Sequence, residues 1–423
     1  MAREFKDSGI EWIGQIPKEW KFGYLKNYYN FEKGKNAQLY TKDYIGTKRG
    51  KYPVFSGQTE NNGIMGLIDS YDYDVDECIF TTTVGAKVMT PKLLKGRFSL
   101  SQNCLIMRRK TSDVINSYIY YLLFPLFGYY KSLLPSHMQP SLRIEDLCTY
   151  SFFLPPMTIQ QKIADFLDKV CGEVDEMVTL QETMIEELKA YKQSVITEAV
   201  TKGLNPNAPM RNSGIDWIGE IPEHWGMPAI GYLAKITSGS TPDRNNPLFW
   251  SEGTVNWIKT GELQNNRLSC SEEKVTEYAL NNTSIKLYPK DTILMAMYGQ
   301  GKTRGMTALL DVPCTTNQAC AALSIYNKNV NVLFLWKCLI GAYDAIRDKA
   351  VGTGQPNLNI DLISKFVIPL PPYNEQAEIV AFIDEIVPQI DSLIALKQAK
   401  IEELKEYKKS VIYEYVTGKK EVV

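Results

Sequence analysis

IEELKAYKQSVITEAVT at residues 185–201 returns 216 residues later as IEELKEYKKSVIYEYVT at residues 401–417. Neither copy contains Gly or Pro, and the apolar residues recur every three or four positions, the spacing that gathers them on one face of a helix. Traced backwards at the same spacing, the copies begin at LPPMTIQQKIADFLD (154–168) and LPPYNEQAEIVAFID (370–384). The pairs Pro155-Pro156 and Pro371-Pro372 mark helix starts, because proline is tolerated only in a first turn. Gly203 and Gly418 mark the ends, and Gly172 and Pro388 predict a shared local irregularity. One row of the repeat runs Leu167, Val174, Gln181, Leu188, Val195 in the first helix and Ile383, Ile390, Lys397, Leu404, Val411 in the second. The spacing adds a second row through Ile163, Val170, Met177, Met184 and Tyr191, and through Ile379, Ile386, Leu393, Lys400 and Tyr407. Two such seams predict an antiparallel coiled coil, with Gln181, Lys397 and Lys400 as a polar layer that fixes register.

A second repeat lies upstream of each helix. SGIEWIGQIPKEW (8–20) and SGIDWIGEIPEHW (213–225) share 9 of 13 residues at a spacing of 205, so insertions of 11 residues fall inside the second half. The segments between, 21–153 and 226–369, barely align. Shared ends with divergent middles predict a common frame carrying two different tasks of one kind. The middles read as mixed structure. Strand-like runs such as 78–84 and 292–297, helix-like runs at 114–131 and 329–347, and Gly-, Asn- and Ser-rich loops alternate. The expected fold is α+β: two pseudo-repeated α+β domains joined by two long helices, with boundaries at 1–153, 154–203, 204–369 and 370–423.

With 44% apolar and 22% charged residues the chain has the composition of a soluble globular protein. Its net charge is −1, unevenly spread: +5 over 1–154, −4 over 155–203, +1 over 204–370 and −3 over 371–423. The helices are acidic and unsuited to phosphates, and the domains are neutral to basic. The eight cysteines form no C-x-x-C pair and there are two histidines, His137 and His224, which leaves little for zinc. Buried reduced thiols in a cytoplasmic protein are expected. The first residues lack a signal-peptide core, and the apolar stretch 118–130 is too short to span a bilayer and reads as a core helix.

Catalytic motifs are incomplete. Gly299-Gln300-Gly301-Lys302-Thr303 looks like the end of a phosphate-binding loop, but Ala296 stands where that loop needs glycine and Gly305 and Pro313 follow. The Pro-Pro pairs occur as LPPM and LPPY without the Asn or Asp of an amino-methyltransferase, and no nuclease-like carboxylate cluster is visible. The competing classes are an ATP- or metal-dependent enzyme and a coiled-coil scaffold. The first lacks a full motif, and the second does not account for divergent middles.

The repeated S-G-I-x-W-I-G-x-I-P-x-x-W, L-P-P-x-x-x-Q and IEELKxYKxSVIxExVT segments resemble the specificity subunits of type I restriction-modification systems. So do residues 236–242 (ITSGSTP), 255–263 (VNWIKTGEL) and 316–320 (TNQAC) in the second middle. Residues 52–57 (YPVFSG) and 101–103 (SQN) in the first are similar to another subtype and depart from its G-G-T-P start. The resemblance implies two target recognition domains, each reading one half of a bipartite asymmetric site in double-stranded DNA, with the coiled coil setting the spacer. It implies two modification subunits that methylate adenine with S-adenosylmethionine, restriction subunits that use ATP and Mg, no cofactor, metal or catalytic residue on this chain, and no membrane. A methylation-only or other phage-defence system built on the same subunit remains an alternative. Base-edge reading needs Arg, Lys, Asn and Gln on loops. The candidates are Lys87, Gln102 and Asn103, with Lys48, Arg49 and Lys51 on phosphates, in the first domain, and Lys259, Thr260, Tyr298, Lys302, Arg304 and Gln318 in the second.

Overall fold

The computed structural model describes residues 3–57, 61–85, 87–135, 138–299, 301–351 and 357–422. His137 and Gln300 lie outside them. Two long helices, Met157–Lys202 and Tyr373–Val416, start directly after the proline pairs. Both run continuously, through Gly172 in one and Pro388 in the other. The chain forms two compact units, residues 1–182 with 398–423, and residues 183–397. Each unit therefore holds one globular domain, the start of one long helix and the end of the other, and the unit borders cut the helices rather than falling at 154 and 370.

Within each unit the two helix segments pack antiparallel. In the first unit Phe166 packs against Tyr415 and Lys408 pairs with Asp175 at 2.6 Å. In the second Lys192 pairs with Asp391 at 2.7 Å, and the Lys397 ammonium lies 3.1 Å from the Met184 sulfur. Leu167, Val174, Ile383, Ile390, Leu404 and Val411 are buried, and Gln181, Leu188, Val195 and Lys397 half-buried. The second row meets the sequence expectation only in part: Ile163 and Ile379 are buried and Val170, Met184 and Ile386 half-buried. Met177, Tyr191, Leu393 and Tyr407 are about half exposed, and Lys400 faces solvent. The inner row is instead Cys171, Val178, Ile185 and Lys192 on one helix, and Ile394, Ile401 and Lys408 on the other. Lys192 and Lys408 sit there because a lysine can lay its methylenes along the seam while its ammonium reaches an aspartate at the edge.

The SGIxWIG repeats form matching hairpins. Phe5–Asp7 pairs with Gln15–Pro17, and Met210–Asn212 pairs with Glu220–Pro222, in the same register. The tryptophan after each hairpin seats on the glycine that ends a long helix. A Cβ on Gly418 would come within 2.8 Å of the Trp20 ring, and one on Gly203 within 2.9 Å of the Trp225 ring. Both glycines also hold positive φ, so helix termination and tryptophan docking demand the same residue.

The domains share a topology that their sequences hide. The first sheet has the order Tyr29–Lys33, Cys104–Arg109, Tyr73–Thr82, Pro91–Leu100, Tyr52–Phe55, Ile64–Ile68. The second has Ala234–Ser238, Cys320–Ile325, Ile293–Ala296, Thr307–Leu310, Asn266–Leu268, beside a small sheet of Glu273–Val275, Val255–Ile258 and Thr315–Thr316. The first four strands correspond, and in each domain a strand runs parallel to the one that leads into the conserved turn (Val54 opposite Ser99, Trp257 opposite Thr315). One helix, Asn116–Ser132 or Val332–Gly341, covers the sheet. The run 118–130 is thus a core helix, as its length required. It is joined to a long helix in each unit: Tyr118 donates to the Val416 carbonyl, and Gln193 and Thr197 donate to the Gly341 carbonyl.

Cys78, Cys104, Cys171, Cys314, Cys320 and Cys338 are buried, but Cys148 is half-buried and Cys270 exposed, against the expectation of buried thiols throughout. Burial pushes the Cys78, Cys104 and Cys320 thiols up to about 12, so they stay protonated and inert.

Candidate DNA interface

In each domain three backbone segments lie side by side at the ends of the sheet's central strands. Asn103 O accepts from Thr83 N, whose own carbonyl accepts from Leu142 N, both at 2.8 Å. Ala319 O, Met297 and Leu358 repeat the arrangement at 2.8 and 3.0 Å. The first member is the turn holding Gln102-Asn103 or Asn317-Gln318. A fourth segment crosses it. A Cβ on Gly34 would lie 2.5 Å from the Leu100 carbonyl, and one on Gly239 2.0 Å from the Thr316 carbonyl. Only glycine lets the loop pass that close. Gly34 is therefore the counterpart of Gly239, the start of the pattern from which the first domain had departed.

In the first domain this framework encloses a cleft of about 720 Å³, with Lys33, Lys35, Gln38, Gln102 and Asn103 on its walls. A second hollow, of about 420 Å³, shares Gln38, Gln102 and Asn103 and leads to Lys42 and Met65. Those two in turn border a third, of about 570 Å³, with Lys48 and Arg49. The result is one groove with exposed amides in the middle and cations at both ends. The 34–40 loop is pinned through Asp72: its carboxylate accepts from Asn36 Nδ2 (2.6 Å) and from the Tyr40 hydroxyl (2.8 Å), and its carbonyl from Lys35 Nζ (3.1 Å).

The structure brings Gln102 and Asn103 together with Lys48 and Arg49 along this groove. Asn103 takes a positive φ at the turn, which asparagine tolerates. Lys87 is exposed in the next loop, its carbonyl accepting from Thr82 and Thr90. Lys51 is exposed, lies over the Tyr52 ring and does not line these hollows. The residues missed were Lys33, Lys35, Gln38 and Lys42. The signal was present in FEKGKNAQ at 31–38, a basic glycine-containing loop after a strand.

The second domain is less uniform. Gln318 is exposed and its side-chain oxygen accepts from Thr241 at 2.5 Å, tying the turn to the loop after Gly239. Tyr298 is 40% exposed. Lys302 is exposed on the glycine-rich loop and attracts Glu186, whose carboxyl is held low by Lys189 first and Lys302 after it. Arg304 is half-buried and Thr260 opens a short 3-10 turn. Lys259 has protein partners of its own: its ammonium is bound by Glu273 (2.9 Å) and Glu272 (3.0 Å), which hold its pKa up. Beside it the Arg244 guanidinium lies against the Trp250 and Trp257 rings and is paired with Glu273. His224 Nε2 lies 2.7 Å from Glu375 Oε1. Among the described residues no group of three His, Cys, Asp or Glu is arranged to hold a metal ion, and no helix is long and apolar enough to cross a membrane.

Fold and site together define a two-domain binding protein that presents two different polar recognition surfaces on one repeated frame. The family described as "Type I restriction modification DNA specificity domain" matches residues 17–190 and 222–406, and the chain belongs to that family. It is 22% identical over 419 residues to the type I restriction enzyme MjaVIII specificity subunit of Methanocaldococcus jannaschii, covering 96% of this chain and 94% of that one. It is 25% identical over 232 residues to the EcoR124I/EcoR124II specificity subunit of Escherichia coli, 54% of this chain and 52% of the relative, so that match spans about half of the relative's length. Its fold matches a chain from a solved type I R-M system with a TM-score of 0.70 at 14% identity, covering 95% and 98% of the two chains.

Proposed function

We propose that this chain is the non-catalytic specificity subunit of a type I restriction-modification complex, reading one half of a bipartite double-stranded DNA site with each domain. The carrying observation is the first-domain groove, where Gln38, Gln102 and Asn103 lie between Lys33 and Lys35 at one end and Lys42, Lys48 and Arg49 at the other. Amides that donate and accept suit base edges, and flanking cations suit phosphates. The same loop framework carries different side chains in the second domain, as two half-sites require. Catalysis then lies with partners: two modification subunits using S-adenosylmethionine, and restriction subunits using ATP and Mg, in the cytoplasm. The long helices would set the spacer between half-sites.

The test is to replace residues 226–353 with the corresponding middle of another such subunit and sequence the methylome of cells carrying the hybrid. One half-site should change and the other persist. If both change together, the domains are not independent readers.

Docking of two modification subunits has support in the misassigned helix row. Met177, Leu180 and Tyr407 in the first unit, and Leu393, Leu396 and Tyr191 in the second, are 48–66% exposed and correspond at the 216-residue spacing. An apolar exposed set kept in both copies suits one partner used twice. Leu393→Glu with Leu396→Glu should leave the melting temperature within about 2 °C, because surface changes cost little, yet reduce the co-purified modification subunit from two per chain to one. Retention of both copies would refute this assignment.

A further inference from the structure

The 216-residue repeat reaches further back than the proline pairs. QPSLRI at 139–144 and QPNLNI at 355–360 share four of six residues at that spacing, inside the otherwise divergent middles. Part of the likeness is structural. Leu142 and Leu358 are 4% and 2% exposed in their cores, and Asn359 caps the helix Ile360–Lys365 through Leu362 N. Gln139 has no such duty: it is exposed, and its amide has no hydrogen-bond partner among the described residues. The proline behind it biases Gln139 to extended backbone. Ser141 then bridges to Val84, and Leu142 N to the Thr83 carbonyl. Gln139 is thereby tethered to the segment that also holds the Gln102-Asn103 turn.

We infer that Gln139 contacts the DNA backbone independently of sequence; its counterpart in the repeat, Gln355, lies outside the described residues. A residue held constant between two domains that read different half-sites cannot carry their difference. At a face built for DNA it meets what both half-sites share, the phosphates and sugars, and a primary amide can donate to a phosphate oxygen. The inference rests on the DNA-reading function proposed above.

The experiment uses the full chain co-purified with its modification subunits, and duplexes bearing the methylome-derived site or that site with one first-half base pair changed. Gln139→Ala should weaken both duplexes by the same factor, about 3- to 10-fold, the worth of a neutral hydrogen bond. The slope of affinity against salt should not change, because no charge is lost. Gln139→Lys should keep or raise affinity and steepen that slope by about one counterion. Relaxation of a single base position by Gln139→Ala would make it a base reader and overturn the inference. So would intact DNA affinity with loss of the modification subunits, which would place a protein contact there. Gln102→Ala separates the levels: if it relaxes a base while Gln139→Ala has no effect, this inference alone fails, and if neither matters, the DNA face itself is misassigned.

Discussion

Gln376→Leu is expected to destabilise the second unit by roughly 3 kcal/mol or more, and Gln160→Leu to do the same in the first. Each glutamine is fully buried in the first turn of a long helix. The Gln376 amide donates to the Pro371 and Asn329 carbonyls, both at 2.9 Å, while its oxygen accepts from Asn331 N at 2.8 Å. Gln160 repeats this with the Pro155 and Asp113 carbonyls and Ile115 N, all at 2.9 Å. One side chain thus satisfies three backbone groups and fastens the long helix to the corner where a strand turns into the domain's covering helix. Leucine has similar volume but leaves all three groups buried and unpaired, at about 1–3 kcal/mol each, partly offset by added apolar burial. Urea denaturation of the full chain should lose the affected unit at lower denaturant while the other keeps its midpoint. A loss below about 1 kcal/mol in both variants would mean that water replaces the amide.

That glutamine is the Q of L-P-P-x-x-x-Q, legible in the sequence as a repeat but not as a staple, because its partners lie 45 and 47 residues away. The frame was readable wherever local chemistry sets local structure. Proline pairs start the helices, Gly203 and Gly418 end them, and the SGIxWIG hairpins follow from glycines with positive φ at fixed places. The seam was half readable. Leu167 and its heptad mates stand on the inner side, but the second row was taken from the apolar residues Met177 and Tyr191 when Val178 and Lys192 occupy it. Hydropathy cannot rank an exposed tyrosine against a lysine whose stem is buried and whose charge meets Asp391.

The recognition surfaces were legible only where a turn residue is also a candidate reader. Gln102-Asn103 and Gln318 belong to turns between strands, and the sequence alone names them as candidates. The 34–40 loop was not legible, because its place beside them depends on Gly34 passing over Leu100 and on Asp72 reaching across from the bend before Tyr73–Thr82. The ion pairs of Lys259 were unreadable for a related reason: Glu273 starts the strand that pairs with Val255–Ile258, and Glu272 lies just before it. A lone lysine in a sequence has a charge but no known neighbour. The middles resisted alignment since their shared topology is held by strands whose interiors tolerate any apolar residue of the right size.

Arg347→Ala should weaken binding to the second half-site by about 30- to 150-fold and leave the first half-site untouched. The guanidinium donates to the Gly301 and Arg304 carbonyls at 2.9 and 2.8 Å and to the Tyr343 hydroxyl at 2.8 Å, and that hydroxyl donates to the Lys302 carbonyl at 2.5 Å. Three carbonyls of the glycine-rich loop are therefore turned toward the helix Tyr343–Asp348. Gly305, at positive φ, allows this approach, since a Cβ there would sit 3.1 Å from the Arg347 side chain. Without the clamp, the loop must be ordered when DNA binds, at about 1 kcal/mol or more per residue. A penalty of roughly 2–3 kcal/mol gives the stated factor. Arg347→Lys should recover little, because an ammonium cannot reproduce the planar fork. Tyr343→Phe should cost about 3- to 10-fold, the worth of one bond. The measurement is competition binding with duplexes altered in either half, run beside Lys302→Ala. If Lys302→Ala weakens the second half-site and Arg347→Ala does not, the loop holds its shape unaided. If Arg347→Ala weakens both half-sites equally, the arginine supports the fold rather than the aim of the loop.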